Sequence, residues 1–362
     1  MRDIYRIDNH HDVLLSNRKY FSTRYTVKNA AIAERIAGIL GGQVRDIGML
    51  RTNKTDRNRN YVVPVNALSR KQAEHYGVHD ADSVLGGIVD DPMQAEKGVL
   101  HPPVRPDALV PSWYSRSFAN KLVEAEAVLP GFVVFTEDDA KEALARLKGD
   151  GFSVRYKTLP ESGGRGQYAV QTPDELQEVI YRDRDTFLQY GAVLEAGVQD
   201  PKEINLAYVR MDGKEYSWIG LPSHGSGFRT DLTVVRGDFG ALAAHLSDQN
   251  ELLAVRQAQT VFDTYRSFGV IIGRGAFDVL QGTVADKTPV SRVVDPVLRV
   301  GGSTPAELRA IEKLIESPPD ITRVDTRVVS DHKQPRRSDM DGYEVFVKDP
   351  AVDVYVKVLN AA

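Results

Sequence analysis

Cysteine is absent from this 362-residue chain. That absence excludes disulfides, thiolate zinc sites, iron–sulfur clusters and cysteine nucleophiles, and it fits a reducing compartment. No apolar run reaches the roughly 18 residues that span a bilayer. The stretch from Met1 to Leu15 lacks the long apolar core of a signal peptide. Net charge is small, −4 at neutral pH, so no whole-chain basic field attracts nucleic acid or anionic membrane. Internal repeats and low-complexity tracts are missing too. The expectation is a cytoplasmic protein with no membrane and no nucleic-acid partner.

What is present is ordinary globular composition, 42% apolar and 27% charged, in a chain long enough for two or three modules. Strand-like runs alternate with helical periodicity, which predicts an α/β (α+β) architecture. The first region, residues 1–115, has a helix over Val27–Leu40 and a short strand at Tyr61–Val63. It ends in segment 91–112, whose five prolines predict a connection running over the surface. A second region, 116–190, has Leu129–Phe135 as a strand, a helix capped by Thr136, and a strand over Phe152–Lys157. Pro173 then sits at the first position of another helix. The third, 191–330, carries a hairpin around Asp212-Gly213, an amphipathic helix over Glu251–Phe268, paired strands at 275–281 and 290–297, and a last helix from Thr304. The tail, 331–362, starts basic and then alternates, as a hairpin would.

Three features carry chemistry. Glu161-Ser162-Gly163-Gly164-Arg165-Gly166 joins two strands rather than a strand to a helix, and lacks the Gly-Lys-Ser/Thr ending, so it is not a Walker A loop. Its glycines allow backbone N–H groups to close around an anion. Lys157, just before it, shares a strand face with Arg155, and a lysine in an apolar strand is costly unless it meets an anion. A hairpin tip with solvated basic residues is the plainer alternative.

Asp278 and Asp295 lie inside apolar strands, where carboxylates are depleted. A turn centred between Asp286 and Lys287 makes them direct cross-strand partners. Two facing carboxylates repel unless a cation such as Mg²⁺ with nucleotide phosphate lies between them. A solvated edge face, or pairing with Arg292, would also account for them. Arg299 and the Gly301-Gly302-Ser303 turn could sit beside transferred phosphate, or be a simple strand-to-helix connection.

Other motifs are weaker. Gly225-Ser226-Gly227 lacks nucleophile-elbow spacing. His10-His11 is a lone pair, Lys333, Arg336 and Arg337 make a short solvated patch, and Asp339-Met340-Asp341 lacks the distal glutamate of a calcium loop. Loop 221–229, with His224 and Arg229, is either a substrate contact or a flexible connection.

The order of these pieces resembles the ATP-grasp superfamily. Lys121 in Asn120-Lys121-Leu122 comes first, then Lys157 and the glycine hairpin, Glu195, Glu203 eight residues on, Asp278, and finally Asp295 with Arg299 and Gly301-Gly302-Ser303. The resemblance covers about residues 115–317, and the whole chain is similar to the DUF3182 group of ATP-grasp-like proteins. It implies an ATP-grasp fold with an N-terminal α/β domain, a lid subdomain and a large subdomain with the metal site. It also implies ATP and Mg²⁺ as cofactors. Lys121 and Lys157 would contact phosphates, covered by Gly163, Gly164, Arg165 and Gly166. Glu195, Ala196 and Val198 would form the adenine hinge, and Glu203 would meet the ribose. Asp278 and Asp295 would hold metal, and Arg299 would steady an acyl phosphate. The implied activity is ADP-forming ligation of a carboxylate to an amine (or thiol). A kinase, or a degenerate nucleotide-binding module, is the alternative. Folds of this class often form homodimers. Two departures stand out: the family usually has Glu at Asp295, and Asn at Val297.

Overall fold

The computed structural model describes residues 3–7, 21–45, 60–159, 166–224, 228–331, 342–347 and 353–362. The first strand, β1 (Asp3–Ile7), lies between β2 (Gln43–Arg45) and β3 (Asn60–Pro64) in a parallel sheet, connected through helix α1 (Phe21–Leu40). Ile32, Ala33 and Ile36 of α1 are fully buried, as their helical spacing predicts. Next come β4 (Leu68–Ser69), α2 (Arg70–Tyr76), capped by a reciprocal Ser69–Gln72 box, and β5 (Gly87–Val89).

Segment 91–112 overturns the surface expectation in part, since Arg105, Pro106, Asp107, Leu109 and Ser112 do stay exposed. It forms two short 3₁₀ turns, Pro92–Ala95 and Lys97–Leu100, and buries Met93, Lys97, Leu100 and His101. The prolines leave no regular helix or strand, only an isolated bridge from Pro103 to Val133, but do not prevent burial. Gly98 packs closely there: a Cβ would stand 2.5 Å from Leu159 Cδ1, and the leucine side chain would have to shift.

After α3 (Arg116–Glu124), the elements β6 (Gly131–Val134), α4 (Glu137–Gly149), β7 (Val154–Thr158), β8 (Gln167–Val170), α5 (Pro173–Arg182), α6 (Arg184–Tyr190) and β9 (Ala192–Ala196) build a four-stranded antiparallel sheet ordered β6-β9-β7-β8. A boundary at 190/191 would cut through this sheet, because β9 is one of its inner strands. Its outer face packs on α4 and α5 through Leu144, Leu147, Leu176 and Ile180. Its inner face, with Val133, Val193 and Leu159, meets Met93 and Tyr114 of the proline-rich segment.

The remaining elements are β10 (Gln199–Met211), β11 (Lys214–His224), β12 (Phe228–Arg236), α7 (Phe239–Ala244), α8 (Gln249–Ser267), β13 (Ile271–Ile272), β14 (Arg274–Val284), β15 (Thr288–Val297), α9 (Thr304–Glu316), β16 (Arg323–Asp331), β17 (Glu344–Val347) and β18 (Asp353–Ala361). Eight of them form one antiparallel sheet, β15-β14-β10-β11-β12-β16-β18-β17. The tail strands therefore extend the main sheet as well as pairing with each other. Asp212 and Gly213 both take positive φ, 54° and 72°, and close the β10–β11 hairpin as their sequence predicts. One sheet face packs on α7 and α8, with α3 against α8. The other packs on α1 and α9. Meanwhile β13 pairs with β5, tying the N-terminal region to the start of β14.

Candidate functional site

A polar row crosses the second face of the large sheet. Asp295 on β15 opposes Asp278 on β14, and Asp278 opposes Asn205 on β10. Cross-strand partners share a face, so all three side chains project to the same side. That side carries the apolar core with Ala276, Ala207 and Trp218 at one end. At the other it meets the small sheet, where Leu280 packs on Ala196 and Val198. The row lies between those two contacts. Asn205 Nδ2 donates to Asp278 Oδ1 at 2.7 Å and to Glu203 Oε1 at 2.9 Å, joining the residue assigned to ribose with the residue assigned to metal. Burial, then the charges of Asp295 and Glu203, push the Asp278 carboxyl well above the usual carboxylate range; Asn205 and Arg299 pull it back in part.

Such a pair fits a hard divalent cation. Both donors are carboxylate oxygens, and Asp278 is raised first by burial and then by the negative charges of Asp295 and Glu203, which a cation would offset. No group of three or more His, Asp or Glu side chains suited to a metal occurs among the described residues. A Mg²⁺ ion held here would depend on phosphate oxygens and water for the rest of its shell.

A second cluster lies on the inner face of the small sheet. Lys157 on β7 and Glu195 on β9 are 4% and 1% exposed, and their Nζ and Oε1 atoms are 2.6 Å apart. His101, from the buried proline-rich segment, brings Nε2 to 3.4 Å from Glu195 Oε2 without an aligned hydrogen bond. Glu195 Oε2 and both ring nitrogens have no hydrogen-bond partner among the described residues. Burial alone would raise the Glu195 carboxyl, but the Lys157 ammonium, with His101 beside it, holds it down at about 2. The Glu195 side chain thus serves Lys157. His101 had no sequence signal beyond being a histidine among prolines.

Arg299 follows β15. It lines a small pocket with Asp295, Leu298, Asn66, Met93 and Glu96, so the N-terminal region walls the space beside the acids. Below it, Arg274, Glu307 and Trp218 are all fully buried. Arg274 Nη2 and Trp218 Nε1 both donate to Glu307 Oε2, at 2.9 and 2.8 Å, while Arg274 Nη1 donates to the Arg299 carbonyl. Sequence reasoning missed Asn205 and this trio. Their signal was available, since each is a polar residue at an inward-facing position of an apolar strand or helix.

Other expected residues fall elsewhere. Lys121 is exposed on α3, whose Phe118 and Leu122 face the core, and its ammonium donates to Ser267 Oγ at 3.0 Å. The structure brings it to neither cluster. Gly163, Gly164 and Arg165 lie outside the described residues, as do His10-His11, Ser226, the basic patch at 333–337 and the 339–341 motif; Gly166 is described, and its carbonyl accepts from the Thr158 N–H at 2.8 Å. The Ala196 N–H is already committed to the Pro130 carbonyl at 2.8 Å, so it has no donor to offer a base. Residues 221–224 and 228–229 are strand, not loop. Arg229 sits an odd number of residues from Leu232, which continues the acid row across the sheet. It therefore projects to the opposite face, 3.5 Å from Asp231, on a strand three places, or about 14 Å across the sheet, from that of Asp278. The His224 side chain is outside the described residues. Val297 opposes Ala276 and packs against the core, so that position carries no polar ligand.

Comparison with solved structures identifies the fold. The chain is similar to an N5-carboxyaminoimidazole ribonucleotide synthetase solved with ADP, at 11% identity and TM-score 0.56, covering 99% of this chain and 92% of that one. It is similar to N5-carboxyaminoimidazole synthetase from Staphylococcus aureus, at 12% identity and TM-score 0.57, covering 99% and 94%. The biotin carboxylase domain of Hydrogenobacter thermophilus 2-oxoglutarate carboxylase, solved with MgADP and bicarbonate, matches at 12% identity and TM-score 0.55, covering 99% and 86%. These are ATP-grasp enzymes, and the fold of this chain is theirs. A search of curated proteins finds no match. The model of the family described as "Protein of unknown function (DUF3182)" matches residues 13–358, nearly the whole chain, and the protein belongs to that family.

Proposed function

We propose that this protein is a Mg-ATP-dependent ligase that activates a small carboxylate as an acyl phosphate and passes the acyl group to an amine, releasing ADP and phosphate. The observation that carries this reading is the Asp278–Asp295 pair, with its raised Asp278 carboxyl, beside Arg299 and the pocket with Glu96. Solved structures of the same fold that hold ADP, and MgADP with bicarbonate, support it.

In this reading Asp278 and Asp295 hold Mg²⁺, which when bound neutralises charge on the transferring phosphoryl group. Asn205 fixes the Asp278 carboxylate. Arg299 orients the substrate carboxylate and then the acyl phosphate by charge-assisted hydrogen bonds. Burial beneath the N-terminal region keeps water from the acyl phosphate. Nucleotide accounting tests the reading. Asp278→Asn with Asp295→Asn abolishes ADP formation once a carboxylate and amine pair supports turnover; unchanged turnover removes the metal role.

One pair of observations favours a second reading, a nucleotide-binding module that does not catalyse. The Lys157 ammonium is already held by a buried Glu195, and Val297 contributes packing rather than a ligand. Mg-dependent ATP binding with no ADP release across broad carboxylate and amine pools would select it.

A further inference from the structure

A strand has little reason to bury an arginine completely. Arg274 is four residues before Asp278 on β14, on the same face, and none of its surface is exposed. Its Nε lies 3.0 and 3.1 Å from the two oxygens of Glu307, its Nη2 lies 2.9 Å from Oε2, and its remaining arm, Nη1, reaches the Arg299 carbonyl. Trp218 Nε1 fills the last site on Glu307 Oε2 at 2.8 Å. Stability alone does not explain the arrangement, since well-packed apolar residues commonly replace a buried ion pair without loss. The planar guanidinium does offer something apolar residues lack, a rigid fork that ties three groups into one geometry.

The tied group is the backbone on which Arg299 stands. The preceding carbonyl, of Leu298, accepts from the Gly87 N–H at 2.9 Å. The Gly301 N–H donates to Thr304 Oγ1 at 2.9 Å. The Arg299 carbonyl is held by Arg274 between these two points. The Arg299 side chain, by contrast, has a single weak hydrogen bond among the described residues, 3.3 Å to the Val300 carbonyl. A fixed backbone bearing a lightly held guanidinium next to Asp295 is the arrangement a group needs if it is to meet a ligand at a set position.

We infer that Arg274, held by Glu307 and Trp218, is a positioning residue that sets Arg299 for the transferring phosphoryl group. The inference rests on the ligase reading given above. The experiment measures MgADP affinity by calorimetry with and without orthovanadate, which mimics that group. In the wild type, vanadate tightens MgADP by about tenfold or more, the worth of one charge-assisted hydrogen bond. Arg274→Met with Glu307→Gln removes both buried charges and leaves Trp218 an acceptor. This variant keeps the wild-type MgADP affinity and unfolding temperature but loses the vanadate effect. Arg274→Lys, which keeps a partner for Glu307 without the fork, loses it as well and serves if the double variant does not fold. Retention of the vanadate effect in either variant overturns the inference. So does joint loss of MgADP affinity and unfolding temperature in both, which would make the network merely structural. Wild-type MgADP binding without any vanadate effect overturns this inference alone, whereas absence of MgADP binding overturns the ligase reading too.

Discussion

Asp278 faces Asp295 because, between the turn and the acid pair, β15 carries one residue more than β14. Near the turn the register is regular, Val284 opposite Thr288 and Val279 opposite Val293. Continued unbroken, it would set Asp278 against Val294 and turn Asp295 to the other face of the sheet. Val294 is instead an extra residue at a bulge, and the two carboxylates meet.

That encounter gives a pH-dependent stability of definite sign. The folded state raises the Asp278 carboxyl above its unfolded value, so folding favours the protonated form. This contribution is greatest below the unfolded value of about 3.9 and declines as pH rises through the higher folded value. In chelator, Asp278→Asn raises neutral-pH stability by about 1 kcal/mol, the scale of one like-charge cross-strand contact. The gain disappears as pH falls below about 4. Thermal unfolding across pH reads it, and a gain that persists in acid contradicts the cause given.

Ligand linkage tests the same pair from the other side. MgADP at a hundredfold excess over its dissociation constant stabilises a protein by about 2.7 kcal/mol. The wild type gains this in Mg²⁺ and most of it is lost in chelator. Asp278→Asn with Asp295→Asn loses the Mg²⁺-dependent part. Differential scanning fluorimetry with both arms is sufficient, and equal shifts in both proteins refute metal binding at these residues.

Glu195 has the opposite sign. Its carboxyl is held at about 2, so the Lys157–Glu195 pair contributes stability above the unfolded value near 4.3 and loses it as pH falls toward 2. Glu195→Gln leaves a buried ammonium without its counter-ion and costs about 3–5 kcal/mol at neutral pH. The difference from wild type narrows between about pH 4 and pH 2. Denaturant titrations at pH 7, 4 and 2.5 measure it, and a difference independent of pH excludes the ion pair as its source.

Gly273 joins the N-terminal region to β14. A Cβ there would stand 1.9 Å from the Val84 carbonyl oxygen and 2.5 Å from that of Ala81, both backbone atoms that cannot swing aside. Gly273→Ala therefore lowers stability by about 3 kcal/mol or more. It also weakens MgADP binding, because Asp278 follows on the same strand. An alanine variant with wild-type unfolding and binding would show that this approach is not maintained in solution.

The amino-acid sequence alone determined the local elements and their chemistry. Asp212-Gly213 accepts positive φ, Thr136 and Thr172 cap helices, and alternating apolar residues name the paired strands, since each depends on neighbours a few bonds away. The pairing of Asp278 with Asp295 was legible too, although the predicted turn lay half a residue off and the bulge at Val294 made up the difference. Tertiary structure decided the rest. Nothing local announces that the segment around His101 is buried while residues 105–107 run through solvent, that α3 turns Lys121 outward, or that strand parity sends Arg229 to the far face. Nor does anything local announce that Arg274 reaches a glutamate 33 residues on and the carbonyl of Arg299. Contacts between distant segments depend on how faces stack and registers accumulate along the sheet, and each bulge or helix rotation reassigns them.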